Sequence, residues 1–213
     1  MEKNKTRTFI IRAGLVAAIG ILFYLGGRNK PSSPPPSNAA EADPHGHGAA
    51  ANVSLATLNN LIDKPTPAFS LADRGGKIYS SDNLRGKNVI LFFNEGLMCY
   101  PACWNQIVSL AKDDRFKNDK TVVLSVVVDS KEAWQKAVDK MPELAQATVV
   151  FDNGASVSRT FGVLATPSSM HVGSLPGHTY VVINKEGMVK YVLDDPNMGI
   201  RNDALAEEIK KLN

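Results

Sequence analysis

Residues 88–104 read Asn88-Val89-Ile90-Leu91-Phe92-Phe93-Asn94-Glu95-Gly96-Leu97-Met98-Cys99-Tyr100-Pro101-Ala102-Cys103-Trp104. The first six residues include five apolar ones in an unbroken run, which predicts a central strand buried on both faces. Pro101 then marks a helix start, because proline suits the first helical position. Trp104, Ile107, Val108 and Ala111 follow at helical spacing and predict its apolar face. A buried strand therefore runs through a cysteine-bearing turn into a helix.

Upstream of this stretch, Pro67-Ala68-Phe69-Ser70-Leu71 reads as a short edge element. Asp73-Arg74-Gly75-Gly76-Lys77 is a turn, and Ile78-Tyr79-Ser80 a second short strand. Downstream, Thr121–Val128 predicts another buried strand. Ser130 suits a helix N-cap, with Ala133, Trp134, Ala137, Val138 and Met141 as the apolar stripe behind it. A short strand at Thr148–Phe151 and a brief helix at Val157–Phe161 come next. His178–Lys185, the Glu186-Gly187 turn and Met188–Leu193 predict a hairpin. Asn202 or Asp203 would cap a last helix with Leu205, Ile209 and Leu212 inward. The order β-β-β-α-β-α-β-α-β-β-α belongs to the α/β class, with a mixed central sheet and helices on both faces.

The N-terminal part has a different composition. Ala13–Gly27 is an uncharged, mostly apolar run with Lys3, Lys5, Arg7 and Arg12 before it and Arg28 and Lys30 after it. A full membrane span needs about 20 residues, and Arg12 can snorkel to an interface to extend this one. The same run also has features of a secretory signal peptide. No small-x-small site closely follows Tyr24, so an uncleaved anchor over residues 1–30 is the expectation. Either way the remainder would sit outside the cytoplasm. Residues 31–52 are rich in Pro, Ser, Ala and Gly and read as a flexible linker. Within them, His45 and His47 offer at most two weak metal ligands. The folded domain is expected over 53–213.

The net charge is +3, and much of the basic excess lies around the apolar run. That is a topology signal, and it argues against a nucleic-acid partner. Hydrophobic residues make up 44% of the chain, enough for a packed core and against wholesale disorder.

The chain has two cysteines, Cys99 and Cys103. A pair so close in sequence closes a small loop and adds little stability, so reactivity or metal binding explains it better than stapling. At the predicted helix N-terminus both would feel the positive end of the dipole, which favours thiolates. A four-residue spacing puts both on one helix face, where they can form a disulfide or hold a soft metal ion. Two inert core cysteines are the plainer alternative. Asn94 and Glu95, just before the pair, read as solvated loop residues that could also serve the thiols. Trp104 is expected beneath the helix, shielding the pair. Asp129, at a strand end, reads equally as a helix cap or a site residue.

The element order, with the pair in the turn after the first central strand, resembles the thioredoxin fold. Pro67-Ala68-Phe69-Ser70-Leu71, Gly76-Lys77, Leu84-Arg85-Gly86-Lys87 and Ile183-Asn184-Lys185-Glu186-Gly187 resemble the redoxin (peroxiredoxin, or AhpC/TSA) family. The resemblance covers residues 65–213 and implies a thioredoxin fold with an N-terminal redoxin-type β extension. It implies a thiol–disulfide oxidoreductase that cycles Cys99 and Cys103 without a cofactor, acting on a redox partner protein or a peroxide. Thioredoxins carry a cis-proline beside the pair, for which Thr166-Pro167 is the candidate. Peroxiredoxins place Thr or Ser three residues before the reactive cysteine, and an arginine later. Here those positions hold Gly96, or Tyr100 if Cys103 is the reactive one, and His178. Pro101 between the cysteines points to Cys99 as the more exposed, attacking one and Cys103 as the more buried. The C-x-x-x-C spacing is also similar to the Sco family of copper-handling proteins. That resemblance implies copper held by Cys99, Cys103 and a later histidine, His178 first and His171 second. Sco proteins have proline after the second cysteine, whereas this chain has Trp104.

Overall fold

The computed structural model describes residues 47–213, with side chains from Asn52 onward. Seven strands form one sheet: β1 (Ser70–Asp73), β2 (Ile78–Ser80), β3 (Asn88–Phe93), β4 (Thr121–Val127), β5 (Val149–Phe151), β6 (Thr179–Ile183) and β7 (Val189–Asp194). Their spatial order is β2-β1-β5-β4-β3-β6-β7. Parallel pairing joins β3 to β4 and β4 to β5, while β6 is antiparallel to both β3 and β7. The helices are α1 (His47–Asn59), α2 (Ala102–Lys112), α3 (Lys131–Lys140), α4 (Ser156–Thr160) and α5 (Asn202–Lys211).

All six residues of β3 are buried, as the unbroken apolar run requires. Alternate side chains supply two cores. Ile90 and Phe92 pack with Trp104, Ile107 and Leu110 of α2, Trp134 of α3 and Leu205 and Ile209 of α5. Val89, Leu91 and Phe93 face the other way, onto Leu58 of α1, Val157 of α4 and Phe161 just beyond it. A strand in this position buries both its faces because α2, α3 and α5 cover one and α1 and α4 the other.

Three expectations are revised. Helix α1 opens at His47, ahead of the expected domain start at 53 and inside the segment read as linker. Composition alone assigned Ala49, Ala50 and Ala51 to a linker, although alanine is the best helix former. The edge of the sheet is β2, and β1 lies one strand in, because Ala72 and Asp73 also pair with β5. Among the described residues the cis peptide is Tyr100–Pro101, not Thr166–Pro167. The helix expected to start at Pro101 begins at Ala102, with Pro101 as the residue before it.

No helix among the described residues is long and apolar enough to cross a membrane. The expected anchor over residues 1–30 lies outside those residues, as do His45 and most of the linker.

Candidate functional site

After β3 the chain leaves the sheet through Asn94, whose side-chain oxygen accepts from the Gly96 N–H at 3.0 Å. A short 3-10 turn, Gly96–Met98, follows and delivers Cys99. Two carboxylates, the half-buried Asp129 and the buried Glu95, shape this turn. Asp129 Oδ2 accepts from the Leu97 N–H at 3.1 Å, and burial pushes its carboxyl above the ordinary value. Asp129 thus braces the cysteine turn, while Ser130 caps α3 by accepting from the Ala133 N–H. Glu95 is 1% exposed rather than solvated. Its Oε1 accepts from the Met170 and His171 N–H groups at 2.6 and 3.0 Å, and Oε2 lies 3.1 Å from His171 Nδ1. A buried carboxylate is tolerated only with such partners, so Glu95 ties loop 166–177 to the cysteine turn.

Cys99 and Cys103 form a disulfide with a Cα–Cα separation of 5.3 Å. The bond spans the start of α2, where Cys103 N–H donates to Cys99 O. Cys103 is fully buried and Cys99 is 3% exposed, flanked by the exposed Met98 and Tyr100. Trp104 is buried as expected, with Nε1 donating to Gly96 O at 2.9 Å. Tyr100 meets its ring edge-on, and Lys140 Nζ lies 3.7 Å from the Tyr100 ring centre.

His178, immediately before β6, is fully buried against this pair. Its Nδ1 lies 3.4 Å from Cys103 Sγ and its Nε2 2.8 Å from Tyr180 Oη. The Phe92 ring packs edge-on to His178 and stacked on Tyr180. A disulfide sulfur has no proton to give, so in this state Nδ1–H donates to Cys103 and Tyr180 O–H donates to Nε2. Burial lowers His178 from 6.5 to about 4, against the pull of nearby Asp195, so the ring is neutral at physiological pH. Burial also raises the Tyr180 phenol, which stays protonated.

The structure therefore brings together three of the residues singled out from sequence. Among the described residues Cys99, Cys103 and His178 form the cluster of potential metal ligands, their donor atoms within 4.8 Å of one another. His171 is held by Glu95 and is not part of the cluster. Two neighbours escaped the sequence reading. Tyr180 read only as part of a strand; its place two residues after His178, on the same strand face, was the available signal. Met198 places Sδ 3.9 Å from Cys99 Sγ. It sits in a turn with no periodicity, and nothing in the sequence singled it out.

The sequence profile of the AhpC/TSA family matches residues 62–192. A chloroplastic peroxiredoxin Q from Triticum aestivum is 31% identical over 135 residues, covering 61% of this chain and 57% of that protein. The corresponding protein of Sedum lineare is 31% identical over 148 residues, covering 64% and 73%. The chain thus spans less than two thirds of the wheat relative. Among solved structures, a peroxiredoxin-like protein from Aquifex aeolicus superposes with a TM-score of 0.59 at 16% identity, covering 71% of this chain and 87% of that one. The peroxidoxin BcpB of Mycobacterium tuberculosis gives 0.57 at 19%, covering 71% and 97%. At those identities the likeness establishes the fold, which is thioredoxin-like. The profile match extends from before β1 well into β7 and encloses the cysteine pair, and the chain belongs to the AhpC/TSA family.

Proposed function

We propose that this redoxin-family oxidoreductase uses Cys99 and Cys103 to reduce a disulfide in a partner protein. The observation that carries this is the pair itself, joined as a disulfide at the start of α2 with His178 against the inner sulfur. In the dithiol form, Cys99 as thiolate attacks one sulfur of the partner disulfide, and the other partner sulfur leaves as a thiol. Cys103, deprotonated, then attacks Cys99 Sγ, the second partner sulfur leaves, and the Cys99–Cys103 disulfide remains. The partner gains two electrons and two protons, and the pair loses them. His178 Nδ1–H faces Cys103 and stabilises its thiolate for the second step. Peroxide is the poorer substrate, because Gly96 and His178 stand where the family's activating hydroxyl and arginine are expected. The anchored, extracytoplasmic placement rests on the charges around Ala13–Gly27 and belongs to the same proposal.

The trap experiment follows from the roles. With oxidised partner proteins, the Cys103→Ser chain should accumulate mixed disulfides on Cys99, while Cys99→Ser should accumulate none. The reverse pattern would exchange the roles, and no adduct with either variant would sink the proposal.

A second reading is copper binding, favoured by the convergence of Cys99, Cys103 and His178 donors within 4.8 Å. The residues fit the metal: two thiolates and an imidazole are soft and intermediate ligands suited to Cu(I). Copper bound here would supply a one-electron centre. Reduction of the disulfide frees both sulfurs, and burial keeps His178 neutral with a nitrogen lone pair to offer. To ligate through Nδ1, His178 takes its other neutral tautomer, in which Nε2–H donates to Tyr180 Oη and fixes the ring with the bare Nδ1 facing the sulfurs.

A further inference from the structure

Neither reading uses Met198, yet its Sδ lies 3.9 Å from Cys99 Sγ. Several contacts hold it there. Asp195 accepts from the Gly199 N–H at 2.8 Å and from Arg201 Nε at 2.7 Å, and the Met198 N–H donates to Asp195 O at 3.0 Å. Asp195 N–H in turn donates to His178 O, so one carboxylate-centred turn carries Met198 and is bonded to the histidine. Met198 itself has φ +49, a left-handed conformation that is uncommon outside glycine, asparagine and aspartate. The chain thus holds an unusual backbone conformation at the residue whose sulfur meets the pair. Filling space against Cys99 would be equally well served by leucine. A thioether differs from leucine as a soft donor that needs no deprotonation.

We propose that Met198 is a fourth donor to a Cu(I) site completed by Cys99, Cys103 and His178 when the pair is reduced. This rests on the copper reading above. The donor set is then two thiolates, one imidazole and one thioether, a combination that selects Cu(I) over hard divalent ions. No electron is transferred when the metal enters: the two thiols give up protons to solvent and bonds to sulfur replace them. The dithiol form itself arises by exchange with an external dithiol reductant.

The test uses the full chain, reduced with excess dithiol, desalted anaerobically and titrated with Cu(I) against a chromogenic chelator. Met198→Leu keeps the volume and should weaken Cu(I) binding by roughly tenfold or more, while Met98→Leu should match wild type. Circular dichroism melting confirms that the variants fold. The decisive signal comes from selenomethionine-labelled chain with Cu(I), read at the selenium absorption edge. A copper–selenium distance should be present in wild type and in Met98→Leu and absent in Met198→Leu. Tight binding by wild type with no copper–selenium scattering, or with Met198→Leu unchanged, would overturn the role of Met198 and leave the three-ligand reading standing. Wild-type binding no tighter than that of the Cys99→Ser/Cys103→Ser double variant would overturn both.

Discussion

Gly96 shows how one position constrains the chemistry of the site. Its φ is +58, and a Cβ built there would lie 1.7 Å from Asp129 Oδ2. The hydroxyl residue that peroxiredoxins place three before the reactive cysteine therefore has no room, because Asp129 occupies the space and braces the turn. Gly96→Thr should destabilise the fold by roughly 1–3 kcal/mol without raising peroxide turnover. Urea midpoints and a peroxide-consumption assay would check both, and a stable, faster variant would refute this account. At this scale the cysteines and His178 were legible from sequence because their chemistry is rare and their spacing specific. Glu95 was misread, since a carboxylate in a polar-looking loop gives no sign of the backbone N–H groups that will surround it. Met198 was invisible for a related reason: a thioether in a turn reads as one more apolar residue until the fold puts a sulfur beside it.

The elements that matter most to the site are its irregular ones. The turn Gly96–Met98 and the loop 166–177 meet through Glu95, which accepts two backbone N–H groups and contacts the His171 ring. Hydrogen bonds to a charged acceptor are worth about 1.5–3 kcal/mol each. Glu95→Ala should therefore speed amide exchange at Met170 and His171 by about tenfold or more, while Ile90 and Phe92 in β3 keep wild-type protection. Exchange monitored by NMR gives the answer, and uniform loosening of β3 as well would mean that Glu95 supports the sheet rather than the loop. The regular elements were largely legible. β3 ends where the apolar run does, and Ser130 caps α3 as its side chain allows. α1 was missed because the linker-like composition of residues 31–52 hid its alanines, and because the burial of Leu58 depends on a partner surface formed by residues much later in the chain.

Stability across the whole molecule is coupled to the site through His178. Its value falls to about 4 in the fold because it is buried, whereas an unfolded chain keeps the ordinary 6.5. Between those values the unfolded state binds the extra proton, so acidification favours unfolding. The contribution is complete above the ordinary value and is lost as pH falls toward the lowered one. The loss amounts to about 3 kcal/mol. Wild type should therefore lose more stability than His178→Gln when urea midpoints are compared at about pH 7 and about pH 4. Equal losses would show that His178 is not held neutral. By itself the sequence determined the α/β order, the buried strand, the helix behind it and the cysteine pair at their junction. Hydrophobic periodicity and side-chain chemistry are local properties, and both are written along the chain. Only the tertiary structure decided the sheet order, the burial of Glu95 and the meeting of Cys99 with Met198 and of Cys103 with His178. Those contacts join residues far apart in sequence, and they exist because β6 pairs with β3 and the turn after β7 packs back onto the start of α2.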